Sequence, residues 1–204
     1  ANGNFVVIWA SASQDGSGDG VYAQRYNASG VAQGGEFRVN TTTANSQNSP
    51  TIAMSASGAF VVAWTDAAAD GAGTGVYAQR YNAAGVAQGA QFRVNTTATG
   101  DQGYASAAMD GAGNFVIMWD SDQSGDFNIH AQRYNASGVA QGGEVLVNTT
   151  TTGTQWNAAA AMDYSGNFVV VWESATQDSG GNAGIYGQRY NASGVAQGGE
   201  VLVN

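Results

Sequence analysis

The chain has 204 residues, with 15 Asp and Glu against 6 Lys and Arg, which gives a net charge of −9. This charge disfavours nucleic acid and anionic lipid as partners, because proteins bind both through basic groups. The absence of Cys excludes disulfides, thiolate nucleophiles and cysteine metal sites. Thirty Gly, one Pro and 43% hydrophobic residues predict a turn-rich, folded β protein. No apolar run approaches the roughly 20 residues of a membrane-spanning helix, so we expect no membrane insertion.

Four near-identical repeats make up the sequence. The stretch VYAQRYNASGVAQGGEFRVN starts at Val21 and returns, slightly changed, at Val76, Ile129 and Ile185. We expect one repeat array over 1–204, with units at about 1–47, 48–102, 103–155 and 156–204. The sequence begins and ends within a repeat, which indicates a segment of a longer repetitive protein.

Each complete unit reads as four short strands. In the second unit these are a small apolar strand (51–55, TIAMS), an apolar strand (60–64, FVVAW), an alternating strand (76–82, VYAQRYN) and a more polar strand (91–95, QFRVN). Polarity rises from the first strand to the fourth, as expected for an antiparallel sheet that runs from a crowded axis to an exposed rim. We expect Ala53, Ala108 and Ala161 to be inner and buried, and Arg38 and Arg93 to lie at the rim.

Units of this length with four strands predict an all-β fold of four tandem, four-stranded antiparallel units that resemble β-propeller blades. A β-solenoid or an open repeat array is the alternative. Unit 1 lacks the small inner strand, which would leave an apolar backbone edge bare at 5–9 (FVVIW). We expect a strand from outside residues 1–204 to complete it, from a second copy of the chain or from a continuation of the same repeat polymer.

Each repeat also carries one Trp and one Arg at matching positions. We interpret the Trp residues as core, because they end the most apolar strand, and the Arg residues as packing on aromatic rings or binding backbone carbonyls between units. A ring of ligand-binding cations is the alternative for the Arg residues. The residues are Trp9, Trp64, Trp119 and Trp172, with Arg25, Arg80, Arg133 and Arg189.

The pattern G-VYAQRYNASGVAQGGEFRVNTTT…Q…AM…GNFVVVW resembles the roughly fifty-residue tandem repeats of giant secreted, adhesin-like bacterial proteins that also carry repeats-in-toxin modules. The resemblance implies an extracellular or cell-surface location and a structural or adhesive role without enzymatic activity. We therefore expect a building block of a surface fibre, sheath or adhesin, with no cofactor and with copies of itself as partners. The alternatives are a lectin-like propeller that binds glycans and a propeller glycosidase, which requires two carboxylates facing each other in a cleft.

One loop has the spacing of an oxygen-ligand calcium site. In DSDQSGD, residues Asp120, Asp122, Ser124 and Asp126 follow the order of such loops, so calcium is the one metal that we consider. Position 12 is Ala131 rather than the bidentate Glu, which favours a solvated hairpin loop instead. The equivalent loop with Asp66 and Asp70 is sparser, and a metal is less expected there.

Two further groups of residues are candidates for contact with sugars. Trp156 stands alone in a polar link, where it would bind a glycan or partner, or else cap the packing. The Asn-x-Thr motifs and the Thr runs are candidates for glycosylation, although the same residues are ordinary turn formers. These candidates are Asn40, Asn95, Asn148, Thr41 and Thr149.

Overall fold

The computed structural model describes residues 3–67, 71, 73–178 and 182–204. The described residues form four antiparallel sheets, one for each unit. The strands are β1 (Phe5–Ala12), β2 (Asp19–Tyr26) and β3 (Phe37–Arg38) in sheet 1; β4 (Gln47–Met54), β5 (Phe60–Ala67), β6 (Thr74–Tyr81) and β7 (Phe92–Arg93) in sheet 2; β8 (Gln102–Met109), β9 (Phe115–Ser121), β10 (Asn128–Tyr134) and β11 (Val145–Leu146) in sheet 3; and β12 (Gln155–Met162), β13 (Phe168–Ser174), β14 (Gly184–Tyr190) and β15 (Val201–Leu202) in sheet 4.

The strand order confirms the predicted all-β, propeller-like fold. Each complete sheet is a meander in sequence order, and the inner strand β8 contacts the inner strands β4 and β12 on either side, while the short fourth strands lie at the rim. Sheet 1 has three strands, because β1 pairs with β2 and with no other strand in the described part of the chain. Whether an external strand completes β1 stays a prediction. No helix long and apolar enough to cross a membrane occurs among the described residues.

The core lies between neighbouring sheets, and the second strand of each unit supplies most of it. Trp64 and Trp119 are 0% exposed and Trp172 is 1% exposed, whereas Trp9 on the open sheet 1 is half-buried. Each buried Trp side chain contributes roughly 3 kcal/mol or more, because it removes a large apolar area from water. The repeat therefore stabilises itself by stacking, since no single sheet could cover both of its faces.

The small inner strand occupies the axis, as predicted, with one exception. Ala53 and Ala108 are buried, and Arg38 and Arg93 are exposed at the rim. Ala161 is exposed instead of buried, because it lies on the outer face of sheet 4, which no further described unit covers.

The repeated Arg residues join consecutive units. The first three of them each donate a hydrogen bond to a carbonyl in the turn that follows the third strand of the next unit, as the structural interpretation of these residues requires. The bonds are Arg25 Nη1 to Ala84 O (2.5 Å), Arg80 Nη1 to Ala136 O (2.8 Å) and Arg133 Nη1 to Ser193 O (2.5 Å).

Candidate functional site

Each inner strand bulges near the end of the sheet that carries the long loops between the second and third strands. Pairing with the second strand shifts by one residue between Asn48 and Thr51 in sheet 2, and at the matching place in sheets 3 and 4. One residue of each bulge has a positive φ, an unfavourable conformation for a side chain other than Gly. These residues are Ser49 (49°), Tyr104 (51°) and Asn157 (56°). Bulges of this kind often re-aim side chains beside functional sites.

The residue that follows the repeated Trp supports the bulge of the next unit. Thr65 Oγ1 accepts a hydrogen bond from the backbone N–H of Tyr104 at 3.1 Å. One unit further on, Asp120 Oδ2 accepts the equivalent bond from the backbone N–H of Asn157 at 3.2 Å. A carboxylate therefore stands at sheet 3 where sheet 2 uses a hydroxyl, and it brings an ionisable group to the axis.

Asp120 lies in an environment that favours its neutral form. Its side chain is buried, and burial raises the pKa to about 7 from an ordinary value of 3.8, with the nearby charge of Glu173 adding to the rise. The backbone N–H groups of Asn157 and Ala158 act in the opposite direction, because they bind the charged form. Asp120 Oδ1 is also buried and has no hydrogen-bond partner among the described residues. At neutral pH this carboxyl group therefore carries a proton part of the time.

Asn157 connects Asp120 to a second carboxylate. Its backbone binds Asp120, and its side-chain Nδ2 donates to Glu173 Oε1 at 3.2 Å. Asn157 is exposed and Glu173 is half-buried, so this side of the pair faces solvent. The result is a proton donor and a second carboxyl group that share one amide residue, an arrangement that can both deliver and accept a proton.

Two aromatic side chains border this pair. Trp156 lies directly opposite Glu173 in the β12–β13 register, so the two side chains are on the same face of sheet 4. Trp156 is half-buried, while Tyr104 on the neighbouring bulge is 65% exposed. We refer to Tyr104, Asp120, Trp156, Asn157 and Glu173 together as the axial site. Its aromatic surface is of the kind that stacks on the apolar face of a sugar ring.

The sequence singles out two of these residues, Asp120 as a calcium ligand and Trp156 as a contact for a glycan or partner. Asn157 and Tyr104 were missed because nothing in a polar link or a small strand predicts a bulge. Comparison of the units could have found Glu173, since the position after the Trp is Ala10, Thr65, Asp120 and then Glu173, so the last two units carry a carboxyl group there.

The calcium site predicted at 120–126 is not formed. Asp120 points to the bulge of sheet 4, Asp122 Oδ1 accepts from the backbone N–H of Asp101 at 2.6 Å, and Asp126 Oδ2 accepts from that of Gly153 at 3.0 Å. These carboxylates diverge to the bulge of β12 and to two different links instead of converging on one point, and Ser124 Oγ accepts a hydrogen bond from Asn128. No group of three or more His, Asp or Glu side chains suited to a metal occurs among the described residues, and Asp70 lies outside them.

The prediction of N-linked sugar on Asn40, Asn95 and Asn148 is also wrong for the folded chain. Each of these side chains is 1% exposed, because its Oδ1 accepts a backbone N–H of the third strand. Its Nδ2, the atom that would be glycosylated, donates to a neighbouring carbonyl and to a buried amide side chain. Thr41 and Thr149 are exposed, so sugar on these two residues stays a prediction.

Comparison with solved structures finds the same fold in carbohydrate-active enzymes. The chain is similar to a thermostable family-43 glycoside hydrolase (11% identity, TM-score 0.56) over 96% of its length and 71% of the hydrolase. It is similar to an endo-arabinase from Bacteroides thetaiotaomicron VPI-5482 (12% identity, TM-score 0.52) over 99% of this chain and 79% of the endo-arabinase. An ulvan lyase, which is a polysaccharide lyase, matches the full length of this chain over 53% of its own length (14% identity, TM-score 0.64). No protein-family model and no curated protein matches the sequence.

These similarities correct one prediction. The sequence predicts that the chain is not an enzyme, yet the solved structures that share its fold over nearly its whole length include glycoside hydrolases and a polysaccharide lyase. At 9–14% identity the likeness establishes the fold, and any activity of this chain must rest on its own residues. The fold is a β-propeller-like array of antiparallel blades.

Proposed function

We propose that this chain is an extracellular, carbohydrate-active β-propeller that hydrolyses glycosidic bonds at the axial site. The observation that carries the proposal is the pair of carboxylates, Asp120 and Glu173, held by one exposed residue, Asn157. Glycoside hydrolysis uses two carboxyl groups, one as acid and one as base or nucleophile. The carbohydrate-active enzymes among the structures of similar fold support the same class of chemistry.

The two carboxyl groups have different surroundings, and this difference assigns their roles. Asp120 is buried with a pKa of about 7, so it retains a proton at mildly acidic pH and serves as general acid to the leaving oxygen. Glu173 is half-buried and accepts a hydrogen bond from Asn157, which fixes its position as the general base or nucleophile. Asn157 is a positioning residue for both.

The border of the axial site indicates a neutral saccharide as substrate. Trp156 and Tyr104 offer aromatic surface for ring stacking. The chain has a net charge of −9 and the site itself has two carboxyl groups, so acidic sugars would meet repulsion.

Glu173→Gln and Asp120→Asn are expected to lower kcat by about 10²–10⁴-fold, the usual contribution of one acid or base group. The measurement is release of reducing ends from a panel of neutral polysaccharides and aryl glycosides. Asp163→Asn is the matched control, because Asp163 is an exposed turn carboxylate at the opposite end of sheet 4 that binds only its own turn. Turnover that survives in both site variants would contradict the assignment.

A glycan-binding protein without turnover is the second candidate, and the 65% exposure of the Tyr104 side chain favours it. In that case Trp156→Ala should weaken saturable binding on a glycan array by tenfold or more, since stacking on an aromatic ring contributes about 1–3 kcal/mol. Binding by the wild-type chain with no hydrolysis of any bound glycan would decide for this alternative.

A further inference from the structure

Three contacts recur at every junction between consecutive units. The first is the bond from each repeated Arg to the next unit, given above. The second is a Tyr hydroxyl that donates back to a Val carbonyl: Tyr81 to Val39 (3.3 Å), Tyr134 to Val94 (3.5 Å) and Tyr190 to Val147 (3.4 Å). The third is a side-chain carbonyl or carboxylate that accepts the N–H of a Thr in the preceding unit: Gln91 from Thr41 (2.6 Å), Glu144 from Thr96 (2.8 Å) and Glu200 from Thr149.

The outer faces of the first and last sheets carry the two halves of this junction. On sheet 4, Arg189 is exposed, and its guanidinium makes no hydrogen bond to any described residue. On the same face Val203 is 59% exposed, although its counterparts Val39, Val94 and Val147 are only 2–4% exposed. Sheet 4 therefore exposes an Arg donor, a Val side chain and an apolar face. In the other three sheets the following unit covers these groups.

Sheet 1 presents the complementary half. Phe5 is 42% exposed, whereas its counterpart Phe60 in sheet 2 is 1% exposed. Tyr26 and Glu36 match the Tyr and the acceptor of the junction, and Glu36 is exposed where Glu144 is half-buried. The carbonyls of Ala28 and Ser29 match those that receive the Arg residues inside the chain. Because Phe5 and Val203 both remain exposed, the two faces do not meet within one chain.

The shape of sheet 4 agrees with this complementarity. A groove of about 600 Å³ lies beside Arg189 and Tyr190. The equivalent spaces inside the chain hold only about 70–220 Å³, because a turn glycine and an alanine of the next unit enter them: Gly58 with Ala83, Gly113 with Ala136, and Gly166 with Ala192. Sheet 1 offers the same two groups, since Gly3 has a φ of 75° and a Cβ built on it would lie 2.8 Å from the Cβ of Ala28.

We propose that sheet 4 of one copy docks on sheet 1 of a second copy through the same contacts that join consecutive units within the chain. The occupant is a second copy because the exposed face of its sheet 1 repeats, in every strand except the inner one that sheet 1 lacks, the internal faces that already cover sheets 1, 2 and 3. The contact is head-to-tail, so a docked pair still presents one free face of each kind, and association continues with concentration. Trp156 and Glu173 of the axial site lie on the same face of sheet 4 as Arg189, but the proposal does not depend on any activity.

The test is sedimentation velocity of the 204-residue chain over a hundredfold range of concentration. The wild-type weight-average mass should rise with concentration, and Arg189→Glu should weaken association by at least about tenfold, because it removes a charged donor from the junction. Arg93→Glu is the matched control, since Arg93 is an exposed rim residue that binds Thr96 O of its own unit. Circular dichroism and the Tm confirm that each variant is folded.

A mixing experiment tests the direction of the contact. Arg189→Glu blocks sheet 4, and Phe5→Asp places a charge on sheet 1, so each variant alone should remain monomeric while an equimolar mixture forms dimers and nothing larger. A wild-type chain that stays monomeric over the full range overturns the proposal, as does an Arg189→Glu variant that associates like the wild type. If Phe5→Asp does not fold, the association of Arg189→Glu compared with that of Arg93→Glu in sedimentation velocity tests the proposal by itself.

Discussion

Replacing Asp120 by Asn is expected to stabilise the folded chain increasingly as the pH rises from about 4 to about 7. The reason is that burial raises the pKa of Asp120 to about 7 in the folded chain, from an ordinary value of 3.8. Between these two values the unfolded chain has lost the proton while the folded chain still holds it. The wild type therefore has its full stability below the unfolded pKa and loses part of it as the pH rises through the folded pKa. Asn cannot ionise, so the variant avoids this loss.

The expected size follows from the shift. Each pKa unit corresponds to about 1.4 kcal/mol, so the difference in unfolding free energy between variant and wild type should grow by about 4 kcal/mol across this range. Urea denaturation of both proteins at several pH values measures it, and contributions from other groups largely cancel in the difference. Asp120→Thr should behave in the same way, because Thr65 already supports the equivalent bulge in sheet 3 through its hydroxyl. A difference that stays constant with pH would show that Asp120 is charged throughout.

The same substitution should separate stability from activity. Asp120→Asn is expected to be the more stable protein at neutral pH and the less active one, because a buried acid with a raised pKa costs folding energy and supplies the proton for catalysis. A residue that serves only to support the bulge of sheet 4 would not produce both effects together.

The fold could be predicted from the sequence because its determinants are local and repeated. Alternation in VYAQRYN, the unbroken apolar run FVVAW and the tight turns between them each specify one strand, and four copies give the array. Ala161 was misplaced only because its burial depends on a neighbouring unit, and its own strand gives no information on that neighbour.

The axial site could not be predicted because it forms between units. Asp120 and Asn157 are 37 positions apart, and they meet only because β12 bulges at a residue with positive φ. Asn40 shows the opposite failure. Its Asn-x-Thr motif is visible in the sequence, but the bond that Asn40 accepts from Val21 buries it. Spacing alone predicted calcium at 120–126, although the strand and hairpin direct neighbouring carboxylates to different links.

Trp119→Ala is expected to lower the free energy of unfolding by about 3–5 kcal/mol, the usual cost of removing a fully buried aromatic side chain. Trp119 is 0% exposed and lies in the core between sheets 2 and 3 with Phe115, Ile117 and Tyr134. The control is Trp9→Ala, at the same repeat position on the open face of sheet 1, where Trp9 is half-buried and stacks on Tyr22 at 6.4 Å. We expect the control to lose less than half as much, and urea denaturation measures both.

Trp119→Phe distinguishes packing from hydrogen bonding as the source of this stability. The indole Nε1 of Trp119 is buried and has no hydrogen-bond partner among the described residues, so the side chain contributes through its apolar area alone. Phe retains most of that area and leaves no unpaired donor, so Trp119→Phe should cost well under half as much as Trp119→Ala. Equal losses in Trp119→Ala and Trp9→Ala would contradict the view that stacking of units stabilises the array, because the two positions differ in whether a preceding sheet covers them.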